Sequence, residues 1–470
     1  MHLLTMVKST GKHKALRFSD LIDKLEGDKI IWIIVFAIIV FSIVGMASST
    51  SLLARLNGTS RLDYAIKQVY VALSGLAVIW AIYKFGKVGF LKFFAKFGFI
   101  ASVFLLVLLD SHFDKIPFLK PIETYRGSGT WRTIVMFGVP VMVYEVVKVA
   151  MVMYLAWALQ ALKNKETQLA DKLANFGWLR FLSSDEGRVM FYLGAPMVIV
   201  FLLELAGSNS SAIFLGLVMG FTVIVGNMKW KYISHLLIAG VIALGLVFGL
   251  QKLTGWKFLT RVTTAISRVS DFHGDPIEEL HKLEPGTLAF QQVLDGSKQV
   301  ISAKVAVSTG GLLGKGPGKS TQRYIVSVMY EDYMYSFIIE EYGLVGGILI
   351  LMLYGTLLAR GSIIVRNCDT VFAKCAVAGL VALISCQALL HILVNVDLMP
   401  MTGQNLPMIS HGNSSFLCFC VAFGIILSIS RMAKKKIARE TAEEMMNAHF
   451  GTGDEKSDTL NDLDDFESQD

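Results

Sequence analysis

The sequence predicts an all-α integral membrane protein with ten transmembrane helices and a large extracytoplasmic loop between helices 7 and 8. Three observations predict it. Of the 470 residues, 54% are hydrophobic and 17% charged, and the mean hydropathy is +0.56, which leaves too little polar surface to clothe a soluble globule. Ten apolar runs are long enough to cross about 30 Å of hydrocarbon. Lys and Arg gather in alternate connections between those runs, as the positive-inside rule requires.

The runs fall near 30–47, 66–83, 88–109, 133–160, 189–206, 210–227, 232–252, 333–359, 371–395 and 409–430. The third carries Lys92 and Lys96 in its first turns, and both must snorkel to a headgroup layer. Basic residues precede the first run (Lys8, Lys12, Lys14, Arg17) and follow the fourth (Lys163, Lys165, Lys172, Arg180, Arg188). They recur after the sixth (Lys229, Lys231), the eighth (Arg360, Arg366) and the tenth (Arg431, Lys434, Lys435, Lys436, Arg439). These segments are expected in the cytoplasm. Connections 207–209 and 396–408 hold no Lys or Arg.

Three regions follow: a cytoplasmic segment 1–29, a membrane domain 30–432 whose extracytoplasmic loop is 253–332, and a largely disordered cytoplasmic tail 433–470. That tail is acidic and Ser/Asp-rich from Gly451 onward. Both termini are expected in the cytoplasm, with the first span as insertion signal in place of a cleavable peptide. Cys368, Cys375, Cys386, Cys418 and Cys420 lie in or beside apolar runs and read as packing residues; no disulfide framework or zinc cluster is indicated. No nucleic-acid partner is expected.

The large loop breaks the charge pattern. It holds Lys257, Arg261, Arg268, Lys282, Lys298, Lys304, Lys315, Lys319 and Arg323, which topology tolerates in a loop of this length without explaining. Such cations suit phosphate or diphosphate at a membrane surface; ordinary solvated loop charge is the other reading. Within it, Gly310-Gly311-Leu312-Leu313-Gly314-Lys315-Gly316-Pro317-Gly318-Lys319-Ser320 is not a P-loop by spacing. It is either a backbone cradle for an anion or sugar or a plain flexible turn.

Carboxylates inside apolar runs mark the remaining candidates. Glu145 and Lys148 lie three apart on one helical face and read as a structural ion pair. Glu340 and Glu341 fall about two turns beyond Asp332, which is placed at the outer mouth of the eighth helix. A carboxylate there can take a proton from an attacking sugar hydroxyl; a helix N-cap is the alternative role for Asp332. The segment 398–415 is polar, turn-forming backbone between two apolar runs, tolerated at that depth only where protein or a water-filled cavity surrounds it.

Leu406-Pro407-Met408-Ile409-Ser410-His411-Gly412-Asn413-Ser414-Ser415, preceded by Pro400-Met401-Thr402-Gly403, resembles the C-terminal signature of the SEDS family (shape, elongation, division and sporulation). Gln299 with Gly310 to Ser320, Asp332 with Glu340-Glu341-Tyr342-Gly343, and Gln387 with Asn395 resemble further family segments in order. The resemblance covers about residues 30–435. His411 stands where the pattern has Tyr, Asn413 where it has Gly, and Tyr330-Glu331 where it has His-Thr. Tyr144 replaces a Ser before Glu145.

The resemblance implies a peptidoglycan glycosyltransferase that polymerises lipid II at the outer face of the bacterial cytoplasmic (inner) membrane. Its partner would be a class B penicillin-binding protein, with other divisome proteins and membrane lipid around it. Ser320-Thr321-Gln322-Arg323 and the long tails look more like the division branch, serving septal wall synthesis, than the elongation branch. Asp332 falls on the family's essential aspartate. Arg261, Trp131, Gln299, Lys315, Lys319, Ser410, His411 and Ser414 are the implied substrate-binding residues, and Asp271, Asp275 and Glu284 are fallback acids. No cofactor is certain; a divalent cation, Mg or Mn, would suit a diphosphate, though no ligand cluster demands one. The competing functions are a flippase or transporter of the same lipid-linked precursor and a non-catalytic scaffold for a cell-wall synthase.

Overall fold

A computed structural model describes residues 25–110, 122–127, 130–136, 139–254, 276–325 and 329–450. Helices α1 (Lys29–Ser49), α2 (Ser51–Leu56), α3 (Arg61–Phe85) and α4 (Val88–Asp110) come first. An antiparallel sheet follows, β1 (Ile122–Gly127), β2 (Thr130–Met136) and β3 (Val139–Met142), in that spatial order. Next come α5 (Val143–Lys163), α6 (Gln168–Ala174), α7 (Asp185–Val189), a π turn Met190–Gly194, α8 (Ala195–Gly207), α9 (Asn209–Val225) and α10 (Trp230–Thr254). The chain ends with α11 (Pro276–His281), α12 (Leu288–Gly310), α13 (Met334–Asn367), α14 (Val371–Asn395) and α15 (Asn413–Phe450). Eight helical stretches are long and apolar enough to cross a membrane, and the shorter apolar stretches Asn209–Val225 and Trp230–Leu246 occupy the sixth and seventh expected positions. The chain is a multi-pass membrane protein.

Burial, more than hydropathy, sorts centre from rim. The window in α5 has the lowest mean hydropathy of the eight, 1.5, yet is 78% buried. The windows in α3 and α4 are 22% and 28% buried. A helix facing lipid must be apolar, whereas a central one can carry Glu145, Lys148 and Gln160 if the protein supplies their partners. Helices α14 and α15 complete that centre, with windows 72% and 67% buried.

Three sequence expectations change. Residues 133–136 and 139–142, expected in the fourth helix, belong to β2 and β3, and the helix starts at Val143; a short continuous apolar run suits either state, and Pro140 disfavours helix. Residues 433–450, expected to be disordered, continue α15. That stretch is rich in Ala, Lys, Glu and Met and carries the i,i+4 pairs Lys436–Glu440 and Arg439–Glu443. The loop 253–332 contains the 23-residue helix α12, which packs along α13.

The glycine cluster is neither a phosphate cradle nor a loose turn. Helix α13 breaks at Gly343, with φ 70° and ψ −173°, and residues 310–316 fill the break. Lys315 N–H donates to Glu340 O (2.9 Å) and Gly316 N–H to Glu341 O (2.9 Å). In return Leu344 N–H donates to Gly311 O (3.0 Å) and Val345 N–H to Leu312 O (3.2 Å). Backbone groups freed by the break therefore find partners inside the protein. Backbones approach so closely that a Cβ on Gly314 would lie 2.3 Å from Glu341 O and one on Gly310 2.2 Å from Ile339 O.

Gly314→Ala should therefore lower the midpoint of thermal unfolding in detergent well beyond Gly318→Ala. Both glycines have positive φ, 79° and 76°, but nothing lies within 4 Å of a Cβ on Gly318. The strain of positive φ, about 1 kcal/mol, is common to both, so equal shifts would refute the packing account.

Candidate functional site at the loop-rich end

The end of the bundle bearing α2, the sheet and α12, here the upper end, gathers the irregular backbone. Residues 396–412 connect α14 to α15 and contain positive φ at Asp397 (60°), Gly403 (63°) and Met408 (60°). Their polar groups are anchored by neighbours: Tyr354 Oη donates to Pro407 O (2.5 Å), Ser210 Oγ to Thr402 O (2.6 Å), and Ser410 Oγ accepts from Leu406 N–H (3.0 Å). Lys304 of α12 pairs with Asp397 at 2.8 Å.

That connection holds the approach to α13 in place. His411 N–H donates to Tyr330 O (2.8 Å), Ser410 Oγ to Glu331 O (2.8 Å) and Asn395 Nδ2 to Asp332 O (3.1 Å). Three successive carbonyls are thus fixed from two elements, while the Asp332 side chain remains half-buried. Asp332 does not cap the helix; Tyr333 occupies the N-cap. The Tyr330 ring meets the His411 ring edge to face, centroids 5.3 Å apart. Burial, with the Glu331 charge next and Tyr64 and Asp332 adding to it, pushes the Tyr330 phenol up to about 12; it stays protonated and can donate but not act as a base. Glu331 Oε1 lies 3.4 Å from His411 Nδ1.

Beside this assembly is a cavity of about 170 Å³, walled by Met46, Tyr64, Lys67, Gln68, His411 and Asn413. Its cation, Lys67, lies over the Tyr64 ring at 5.4 Å. Sequence reading passed over Lys67 because it sits at the start of an otherwise apolar run; its place at the upper end of α3, opposite the polar segment, was the available signal.

A second polar centre lies deeper. The Lys148 ammonium, fully buried, donates to Glu145 Oε1 (2.8 Å), Gln387 Oε1 (2.7 Å) and Gln404 Oε1 (3.1 Å). Gln404 Nε2 donates to Ser211 Oγ (2.8 Å), and His391 Nδ1 meets Gln404 O at 2.8 Å. His391 Nε2 accepts from Tyr335 N–H (3.4 Å), so its Nδ1 is the donor. Asn395 Oδ1 accepts from Ser336 N–H (2.9 Å). A continuous polar seam therefore runs from α5 to the backbone beneath Asp332. Glu204, also fully buried, has no hydrogen-bond partner for either carboxylate oxygen among the described residues.

The residue pattern and this architecture agree with the known proteins. Residues 28–435 match the sequence family of FtsW, RodA and SpoVE, described as cell cycle protein. The chain belongs to that family. Stage V sporulation protein E of Bacillus subtilis is 33% identical over 31% of this chain and 40% of that protein. A probable peptidoglycan glycosyltransferase FtsW of Caulobacter vibrioides is 35% identical over 28% of this chain and 34% of that protein. These two alignments span less than half of each relative, whereas the probable peptidoglycan glycosyltransferase FtsW of Bacillus subtilis, 25% identical, aligns over 85% of this chain and 90% of its own length. In structure, the rod shape determining protein RodA of Thermus thermophilus superposes with TM-score 0.52 at 18% identity, covering 87% of this chain and 98% of RodA. A chain from a peptidoglycan synthase complex superposes with TM-score 0.55 at 19% identity, covering 87% and 98%. Both show the same all-helical membrane fold.

Within this FtsW/RodA/SpoVE fold the expected site residues separate. His411 lines the cavity, Ser410 is bonded to the Glu331 carbonyl, and Asp332 follows Glu331 on the same segment. Ser414 Oγ accepts from Met142 N–H (3.0 Å) and ties β3 to α15. The Lys315 ammonium pairs with Glu340 (2.6 Å) and donates to Thr321 Oγ1 (3.0 Å). Arg323 likewise pairs with Glu341 (3.5 Å). Lys319 is exposed and Gln299 half-buried on α12. Trp131 lies on β2 opposite Arg126. Arg261, Asp271 and Asp275 lie outside the described residues. Glu284 is exposed before α12. Among the described residues no three His, Cys, Asp or Glu side chains cluster to hold a metal.

Lys148→Ala should destabilise the detergent-solubilised protein by about 3–5 kcal/mol, because it strands buried carboxylate charge. Glu145→Gln, which keeps a hydrogen-bond acceptor for Lys148, should cost clearly less. Denaturant unfolding followed by near-UV circular dichroism checks both, and the reverse order would refute the hub role of Lys148.

Proposed function

We propose that this chain is a peptidoglycan glycosyltransferase acting at the outer face of the bacterial cytoplasmic membrane. The upper end of the bundle faces outward and both termini face the cytoplasm. The observation that carries the reading is half-buried Asp332, whose backbone is fixed at the upper end and whose neighbour Tyr330 is bonded to His411 of the cavity wall. The names of the relatives, peptidoglycan glycosyltransferase FtsW and, in Escherichia coli, MrdB, support it, as does the alignment over 90% of the length of one of them.

In this reading Asp332 takes the proton from a sugar hydroxyl of an incoming lipid II. The hydroxyl oxygen bonds to the anomeric carbon at the end of the growing glycan, and the bond from that carbon to the carrier's diphosphate breaks. Undecaprenyl diphosphate leaves with the electron pair, and cations at the upper end stabilise its charge. Both reactants are lipid-anchored, which explains a catalyst embedded in the membrane with its chemistry at the surface.

A class B penicillin-binding protein is the proposed partner. The structural neighbour described as coordinating polymerization and crosslinking in a peptidoglycan synthase complex supports such a pairing. The charge and tail pattern favours septal synthesis, while relatives of both the FtsW and MrdB kinds match.

Purified protein with its partner in detergent should convert lipid II to glycan polymer, and Asp332→Asn should lower the rate about 100- to 10,000-fold with unchanged thermal stability. A flippase makes no polymer where there is no second leaflet. Near-normal polymerisation by Asp332→Asn would remove the base assignment, and no polymer from the wild type would remove the enzymatic one.

A further inference from the structure

The proposed reaction expels a diphosphate, and the cations expected to receive it are partly committed elsewhere. Lys315 is paired with Glu340, Arg323 with Glu341, Lys304 with Asp397 and Lys148 with Glu145. Lys67 differs: among the described residues no carboxylate stands within ion-pair distance of it, and its ammonium lines the cavity beside Asp332's segment. His411 lines the same cavity from the opposite element. Its contact with Glu331, 3.4 Å, is longer than the 2.7–2.9 Å usual for a charge-assisted hydrogen bond. With Nδ1 turned toward Glu331, Nε2 is the ring nitrogen left for a ligand oxygen. The hydroxyl of Tyr64 and the amide of Asn413 add neutral polar groups to the wall, and α15, which begins at Asn413, turns the positive end of its dipole the same way.

We propose that the cavity walled by Tyr64, Lys67, His411 and Asn413 is a phosphoryl-binding subsite that receives the diphosphate of the lipid-linked donor, with Lys67 as its cation and the His411 imidazole as a further polar contact. The assignment rests on the glycosyltransferase reading above. Tyr330 couples the subsite to the base, since its ring packs on His411 and Asp332 lies within electrostatic reach of its phenol. His411 and Glu331 are both positions where this sequence leaves the pattern it otherwise follows, and they touch each other.

The test is equilibrium binding of radiolabelled undecaprenyl diphosphate to the full chain in detergent, with inorganic diphosphate and phosphatidylglycerol as competitors. Lys67→Gln should weaken binding about 10- to 100-fold, the weight of one charge-assisted contact, and Lys67→Arg should restore most of it. His411→Ala, which removes the ring from the wall, should weaken binding about 10-fold. In the polymerisation assay Lys67→Gln should raise KM for lipid II more than it lowers kcat. Wild-type affinity in Lys67→Gln would overturn the subsite even if polymer still forms, leaving the glycosyltransferase reading intact. Equal displacement by phosphatidylglycerol would overturn the lipid-linked diphosphate in favour of an ordinary headgroup. If diphosphate binds as described but no polymer forms, the subsite survives and the enzymatic reading falls.

Discussion

Inside a bilayer a charged group has no water to turn to, and the Lys148 ammonium is where this protein meets that constraint most severely. It lies without solvent exposure at the centre of the bundle, satisfied by one carboxylate and two amide oxygens drawn from α5, α14 and the 396–412 connection. Because those oxygens come from three separate segments, the ion pair also sets their relative positions. The seam that continues through Gln404, His391 and Asn395 carries that order to the backbone beneath Asp332.

The same rule governs the break in α13. A helix interrupted at Gly343 exposes amides and carbonyls that hydrocarbon cannot accept, and the glycine-rich segment 310–316 supplies their partners by laying its own backbone against them. Lys315 and Arg323 enter with that segment and neutralise Glu340 and Glu341, which are otherwise buried acids. The same loop thus carries the cations that offset the burial of two carboxylates, whereas Lys67 and His411 line the cavity at the upper end.

Much of this was legible in the chain. Apolar runs located the membrane helices, the start of the fourth and the end of the tenth apart, because crossing hydrocarbon demands length and composition that no other element shows at this density. The Glu145 and Lys148 spacing indicated a pair on one helical face. The sheet before α5 was not legible, since its strands are apolar enough to extend the helical run; nor was the helical end of α15, whose charged composition also suits disorder. Lys67 was invisible as a site residue because its meaning depends on His411, more than three hundred residues away in the chain.

Composition and the order of motifs by themselves determined the membrane class, the approximate positions of the spans and the membership of a family, since each depends on which residues occur in what order along the chain. Only the tertiary structure decided which charges are neutralised internally and which face a cavity. Lys315 and Lys67 are equally basic as letters, and the difference between them is that one has a carboxylate 2.6 Å away while the other lines an open hollow. Electrostatic pairing is a property of distance in space, and no reading of neighbours in sequence contains it.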